Sequence, residues 1–164
     1  MKKNRIAIEV KKTPSFIGCW SLNDNGLFTN MINFYDNHID LQRDGETEDG
    51  VNIDKKSSTD IAIMPLDLNK PEYSDFSDYF KLLFQCFLDY TEQWPFLREL
   101  QDLDIGPFNL QKYKKGDHFS YVHTERTSLR NCDRVFAWMT YLNDVNFGGE
   151  THFEHFNISI KPEI

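Results

Sequence analysis

Cysteine is scarce in this chain. Cys19, Cys86 and Cys132 are odd in number, far apart and without a Cys-x-x-Cys pair, which excludes a disulfide framework or a zinc ribbon and fits reduced thiols packed as core filler in a cytoplasm. Long apolar runs are absent as well. The N-terminus opens basic with Lys2 and Lys3 but meets a charge again at Glu9, so neither a secretion signal nor a membrane span is expected. Basic charge is outnumbered, with 18 Lys and Arg against 26 Asp and Glu and a net charge of -8. A surface built to hold nucleic acid or anionic lipid is therefore not expected. There is no internal repeat and no low-complexity tract.

What the chain does have is aromatic residues. Phe, Tyr and Trp make 15% of it, apolar residues 40% and charged residues 27%, the composition of a folded domain with an aromatic core. At 164 residues one domain spanning 1–164 is expected. Its first part, 1–105, reads as a support region of strand and helix. Arg5 to Val10 alternates like a strand, closed at Thr13-Pro14. Leu27 to about His38 reads as a helix, with Asn23, Asp24 or Asn25 as cap and Leu27, Met31, Phe34 and Tyr35 on one face. The acidic stretch Leu41 to Asn52, with two glycines, reads as an exposed loop. Ser58 to Leu66 reads as a strand closed by Pro65. Ser74 to Trp94 is the most periodic segment: Ser74 or Ser77 is the expected cap, and Phe76, Tyr79, Phe80, Leu83, Phe84, Phe87 and Leu88 form a wide apolar face. From 106 onward short period-two runs broken by turns predict strands. Among them Arg134 to Asn143 is apolar on both faces, as in a strand covered on both sides. Helices followed by antiparallel strands give an α+β class.

Chemistry enters at His123-Thr124-Glu125. On a strand, residues two apart share a face, which offers two metal ligands on one wall. Five histidines and 26 acidic residues predict roughly one His-x-carboxylate triplet by chance, and the chain has three. His38-Ile39-Asp40 ends a predicted helix, where side chains two apart diverge by about 200°. His152-Phe153-Glu154 is not dismissed that way, and context has to choose.

The context is an ordered set of blocks. Tyr113-x-x-Gly116-x-x-Phe119-x-x-x-His123-x-Glu125 is followed by Arg134, by Tyr141-Leu142-Asn143-Asp144, by Gly148-Gly149-Glu150-Thr151-x-Phe153 and by Lys161-Pro162. Over about a third of the chain this resembles the Fe(II)/2-oxoglutarate-dependent oxygenases of the prolyl 4-hydroxylase type. The stretches Ile17 to Trp20 and Lys55 to Ile63 are similar to small phage and bacterial members. The resemblance implies a double-stranded β-helix (jelly-roll, cupin-like) core with N-terminal supporting helices. It implies His123 and Glu125 as metal ligands, with Glu125 standing where Asp is usual and its carboxylate moved out by about one C–C bond. It also implies Tyr113, Tyr141 and Thr151 as cosubstrate-binding residues, with no catalytic residue beyond the metal ligands. The implied cofactors are Fe(II), 2-oxoglutarate and ascorbate as reductant, and the implied substrate is a prolyl or other residue of a protein or peptide, or a small molecule. The implied reaction is hydroxylation with decarboxylation of 2-oxoglutarate to succinate. Read without the resemblance, the two tyrosines are ordinary core residues, Arg134 is a surface charge, and Gly148-Gly149 makes a turn.

In that family a distal histidine and then a Lys or Arg follow the strand that ends in Pro. Here Pro162 is followed by Glu163 and Ile164, where the sequence given ends, so the final barrel strands are expected to be missing and this form weakly active or inactive. Strand alternation puts Thr151, Phe153 and His155 on one face and keeps His155 open as a substitute ligand. Two further readings stand beside the oxygenase: a catalytically dead protein-binding module of the same fold, and a cupin-like metal protein of other chemistry.

Overall fold

The computed structural model describes residues 3–9, 14–100 and 103–164. In chain order the elements are β1 (Asn4–Arg5), β2 (Trp20–Ser21), α1 (Asn25–Asn37), β3 (Arg43–Asp44), β4 (Glu46–Thr47), β5 (Gly50–Val51), β6 (Lys56–Ser57), β7 (Thr59–Ile63), α2 (Ser74–Gln93), β8 (Phe108–Lys112), β9 (His118–Phe119), β10 (Thr151–Phe153) and β11 (Ile158–Ile160). Short 3₁₀ turns connect several of them.

α1 starts where Asp24 accepts a hydrogen bond from the Leu27 amide at 3.1 Å, satisfying one of the orphan donors of the first turn. It ends on His38, whose Nδ1–H donates to the Phe34 carbonyl at 2.7 Å while the ring stacks on Phe34. Leu27, Phe28, Met31, Phe34 and Tyr35 form its buried face. α2 is capped by neither expected serine. The preceding 3₁₀ turn, Pro71–Tyr73, feeds straight into it, and Ser77 instead donates to the Leu68 carbonyl at 2.7 Å. Its buried residues include Phe76, Tyr79, Phe80 and Cys86, but Phe84 and Leu88 face outward. The apolar stripe is wider than the sheet it packs on.

That sheet has the order β3-β7-β8, antiparallel throughout, with Ile61 opposite Leu110 and Ile63 opposite Phe108. Alternation splits it in two. Ile61, Ile63 and Leu110 are buried with α1 and α2 in one core. Asp60, Gln111 and Tyr113 lie on the other, polar face. Here the stretch expected to be an exposed loop contributes structure: β3 joins the sheet, and β4 and β5 make a tight hairpin turning through Glu48 and Asp49.

The C-terminal part departs most from expectation. Its strands are β9, which pairs with β6, and the β10-β11 hairpin. Residues 120–150 contain no strand. The segment 134–143 keeps a strand's alternation without a ladder. Trp138 meets Phe80 and Phe108, Phe136 meets Phe87 and Tyr90, and Thr140 meets the Tyr79 hydroxyl at 2.8 Å. Between them Val135 (52% exposed) and Met139 (56%) face outward. One side is covered by α2, not both. The predicted first strand shortens to β1, paired with β2, while Val10 and Thr13 lie outside the described residues.

The architecture is thus mixed α+β with small antiparallel sheets, and among the described residues no barrel closes. Also among them, no helix is long and apolar enough to cross a membrane.

Candidate functional site

His123 and Glu125 lie in the irregular segment between β9 and β10, so strand alternation is not what brings them together. Local hydrogen bonding does it. The His123 Nδ1–H donates to the Tyr121 carbonyl at 2.8 Å, and the ring stacks on Phe119 with centroids 4.3 Å apart. With Nδ1 as donor, a neutral imidazole aims its Nε2 lone pair outward. Nε2 stands 3.6 Å from Glu125 Oε1. In that neutral form the Nε2 lone pair and the carboxylate face each other, and a metal cation between them would be held by both. The other carboxylate oxygen, Oε2, accepts from the Arg134 guanidinium at 3.1 Å, so Arg134 is engaged with the site rather than a loose surface charge.

Tyr141 and Thr151, expected in one pocket, do meet. Their hydroxyls are 2.8 Å apart, and the Thr151 amide donates to the Tyr141 oxygen at 3.1 Å. The same phenol lies 3.2 Å from the Ile160 carbonyl. It is the hydrogen-bonding hub of the β10-β11 hairpin, and a ligand carboxylate would have to displace one of these partners. The preceding turn uses Gly148 and Gly149 at φ 78° and 76°, a region L-residues avoid. A side chain at Gly149 would also press on Pro162.

Tyr113 belongs to a different group, on the polar face of the sheet. Its hydroxyl donates to Gln111 Oε1 at 3.3 Å, Gln111 Nε2 donates to Asp60 Oδ2 at 2.9 Å, and Lys56 Nζ donates to the same oxygen at 2.6 Å. Ser58 donates to Asp60 Oδ1 at 2.8 Å. Lys56 is only 3% exposed and its ammonium also lies over the Phe119 ring at 5.7 Å. Burial, reinforced by the Asp60 charge, pushes the Tyr113 hydroxyl up to about 12. A shallow cleft of about 190 Å³ opens beside this group, lined among others by Gly45, Lys56, Ser58, Lys114 and Asp117. Lys56 and Asp60 escape a sequence reading because a charge alternating with Ile61 and Ile63 looks solvent-facing. No local pattern says that the second face is covered.

His155 does not share a strand face with Thr151. It falls in the 3₁₀ turn Glu154–Phe156, where alternation ends, while His152 Nδ1 lies 2.9 Å from the Ser159 hydroxyl. Among the described residues no group of three or more His, Cys, Asp or Glu side chains converges to hold a metal ion. The donors present fit a divalent first-row cation in kind, imidazole plus carboxylate, and supply two positions of its coordination shell. No family model matches the chain, and no curated protein or solved structure matches it.

Proposed function

We propose that this chain is a domain of the Fe(II)/2-oxoglutarate-dependent oxygenase type, built on the jelly-roll plan, in which His123 and Glu125 hold the metal. The single observation that carries the reading is that His123 Nε2 and Glu125 Oε1 face each other at 3.6 Å with Nδ1 fixed from behind by the Tyr121 carbonyl. Metal-binding histidines characteristically donate their second ring N–H to such a carbonyl, which sets the tautomer. Further support comes from the hydroxyls of Tyr141 and Thr151, adjacent and suited to hold one carboxylate of a dicarboxylate cosubstrate.

When bound, iron and 2-oxoglutarate would supply hydroxylation of a protein, peptide or small-molecule substrate, coupled to release of succinate and carbon dioxide, with ascorbate keeping the iron reduced. The chain's own residues would bind and orient these groups. Tyr121 and Phe119 fix the imidazole plane, Arg134 holds Glu125 Oε2 and competes with the metal for that carboxylate, and Tyr141 offers the cosubstrate a donor once it releases Ile160. With two protein donors the metal is held weakly. Incubation with Fe(II), ascorbate and 2-oxoglutarate should give slow succinate release, lost in His123→Ala. Equal release from the variant removes His123 from the site.

A second reading is favoured by the Arg134 contact, which already gives Glu125 a cation. It is a binding module of the same fold that uses no metal. Absence of any metal uptake by the wild-type chain would select it.

A further inference from the structure

The segment bearing His123 and Glu125 has no strand partner, yet one small element grips it on both sides. The β4-β5 hairpin turns through Glu48 and Asp49, with Gly50 at φ 90° and the Thr47 hydroxyl donating to the Gly50 carbonyl at 3.1 Å. Glu48 reaches past the pair: its two carboxylate oxygens accept hydrogen bonds from the Thr127 and Ser128 hydroxyls. Asp49 reaches the near side through an intermediary. It pairs with Lys55 at 2.8 Å, and the Lys55 ammonium lies over the Tyr121 ring at 5.0 Å. Tyr121 is the residue whose carbonyl holds His123 Nδ1. On the far side Asn131, buried, accepts from the Thr127 and Ser128 amides at 2.9 Å each, so the turn Glu48 seizes is itself well tied.

We infer that the β4-β5 hairpin is a positioning element for the candidate site, and that Glu48 is its principal positioning residue, holding Thr127 and Ser128 so that His123 and Glu125 converge. The inference takes the His123-Glu125 pair from the functional reading above but concerns its geometry alone. Geometry demands such a device. Two donors on irregular chain lose their convergence with any drift of the backbone, and a carboxylate accepting two adjacent hydroxyls fixes both distance and direction. The hydroxyls of Ser128 and Thr127 also hold the Glu48 carboxyl below its usual range, as expected of an acceptor stabilised in its charged form. It is not itself a catalytic residue, since it touches neither ligand.

The test is nuclear magnetic resonance on the metal-free protein at mildly alkaline pH, comparing wild type, Glu48→Ala and Glu48→Gln. Two signals are followed: the imidazole nitrogen shifts of His123, and amide exchange at Thr127, Ser128 and Asn131. In the wild type His123 should show one tautomer with the proton on Nδ1. Glu48→Ala should mix the tautomers and speed exchange at the three amides by about tenfold or more, the loss expected of two hydrogen bonds to a charged acceptor once discounted for its exposure. Glu48→Gln, keeping one acceptor oxygen, should fall between. Replacing both Thr127 and Ser128 by Ala should change both signals at least as much as Glu48→Ala, because it also removes the hydroxyl acceptors of the Asn131 side-chain amide and the Arg130 backbone amide, and adding Glu48→Ala to it should change neither signal further. An unchanged tautomer in Glu48→Ala overturns the inference, as does unchanged exchange at the three amides. A Co(II) titration of the wild type is read separately: failure to bind the metal defeats the oxygenase reading and leaves the tautomer and exchange results to decide the role of Glu48.

Discussion

At His123 one hydrogen bond decides what the imidazole can do. Because Nδ1 donates to Tyr121, the free lone pair is on Nε2, facing Glu125. Arg134 then competes for the carboxylate with any cation that arrives. Arg134→Ala should therefore tighten Co(II) binding by about 1 kcal/mol, roughly fivefold, the size of a like-charge repulsion between exposed groups a few ångströms apart. Weaker binding in that variant would mean that Arg134 orients Glu125 more than it opposes the metal. Lys56 makes the opposite kind of case, a charge with nowhere else to go. Lys56→Met leaves Asp60 buried without its cation and should cost ~3–5 kcal/mol in urea unfolding. The double change Lys56→Met with Asp60→Leu should recover much of that loss, because it removes both desolvated charges. His123, Glu125, Tyr141 and Thr151 were nominated from residue type and order, and the structure sets His123 beside Glu125 and Tyr141 beside Thr151. Lys56, Asp60 and Glu48 were not nominated. Their importance depends on which distant residue covers or meets them, and spacing along the chain does not encode it.

Elements with their own periodic signal formed as read. α1, α2 and β7 have apolar residues at the spacing of their own geometry, so each buries a face wherever the others stand. Phe76 sits where α2 meets both α1 and the sheet, edge-on to Phe34 and fully buried. Phe76→Ala should cost ~3–5 kcal/mol through lost contact and residual cavity, measured as the shift of the urea midpoint at constant slope. The segment 134–143 shows where a periodic signal runs out. Alternation specifies which side chains face α2, and Phe136, Trp138 and Thr140 obey it. Whether that segment is a strand depends on a neighbour to pair with, which alternation cannot supply. The caps went the same way: Asp24 was among the options read for α1, whereas α2 needed no serine because a turn already led into it.

For the whole molecule, acid is the informative perturbation. Glu48, held down by Ser128 and Thr127, Asp67, held down by Lys70 and the Met64 amide, and Asp117, held down by the Lys114 amide and Ser57, all titrate below their ordinary values of 4.5, 3.8 and 3.8. A carboxyl depressed by folding stabilises the fold at pH above its unfolded value and ceases to as pH falls through its folded value. Stability should thus hold near neutrality and decline from about pH 4 downward, followed by thermal unfolding across that range. Around Glu48 the charges that modulate this are Asp49, which opposes the depression, and Arg130, which aids it. The central claim, that His123 and Glu125 are a metal pair, is tested most directly by titrating the intact chain with Co(II) and following its visible absorption. The account predicts saturable binding at one weak site in the wild type, lost in His123→Ala and much reduced in Glu125→Ala. Equal binding by wild type and His123→Ala, or no binding by either, would contradict it.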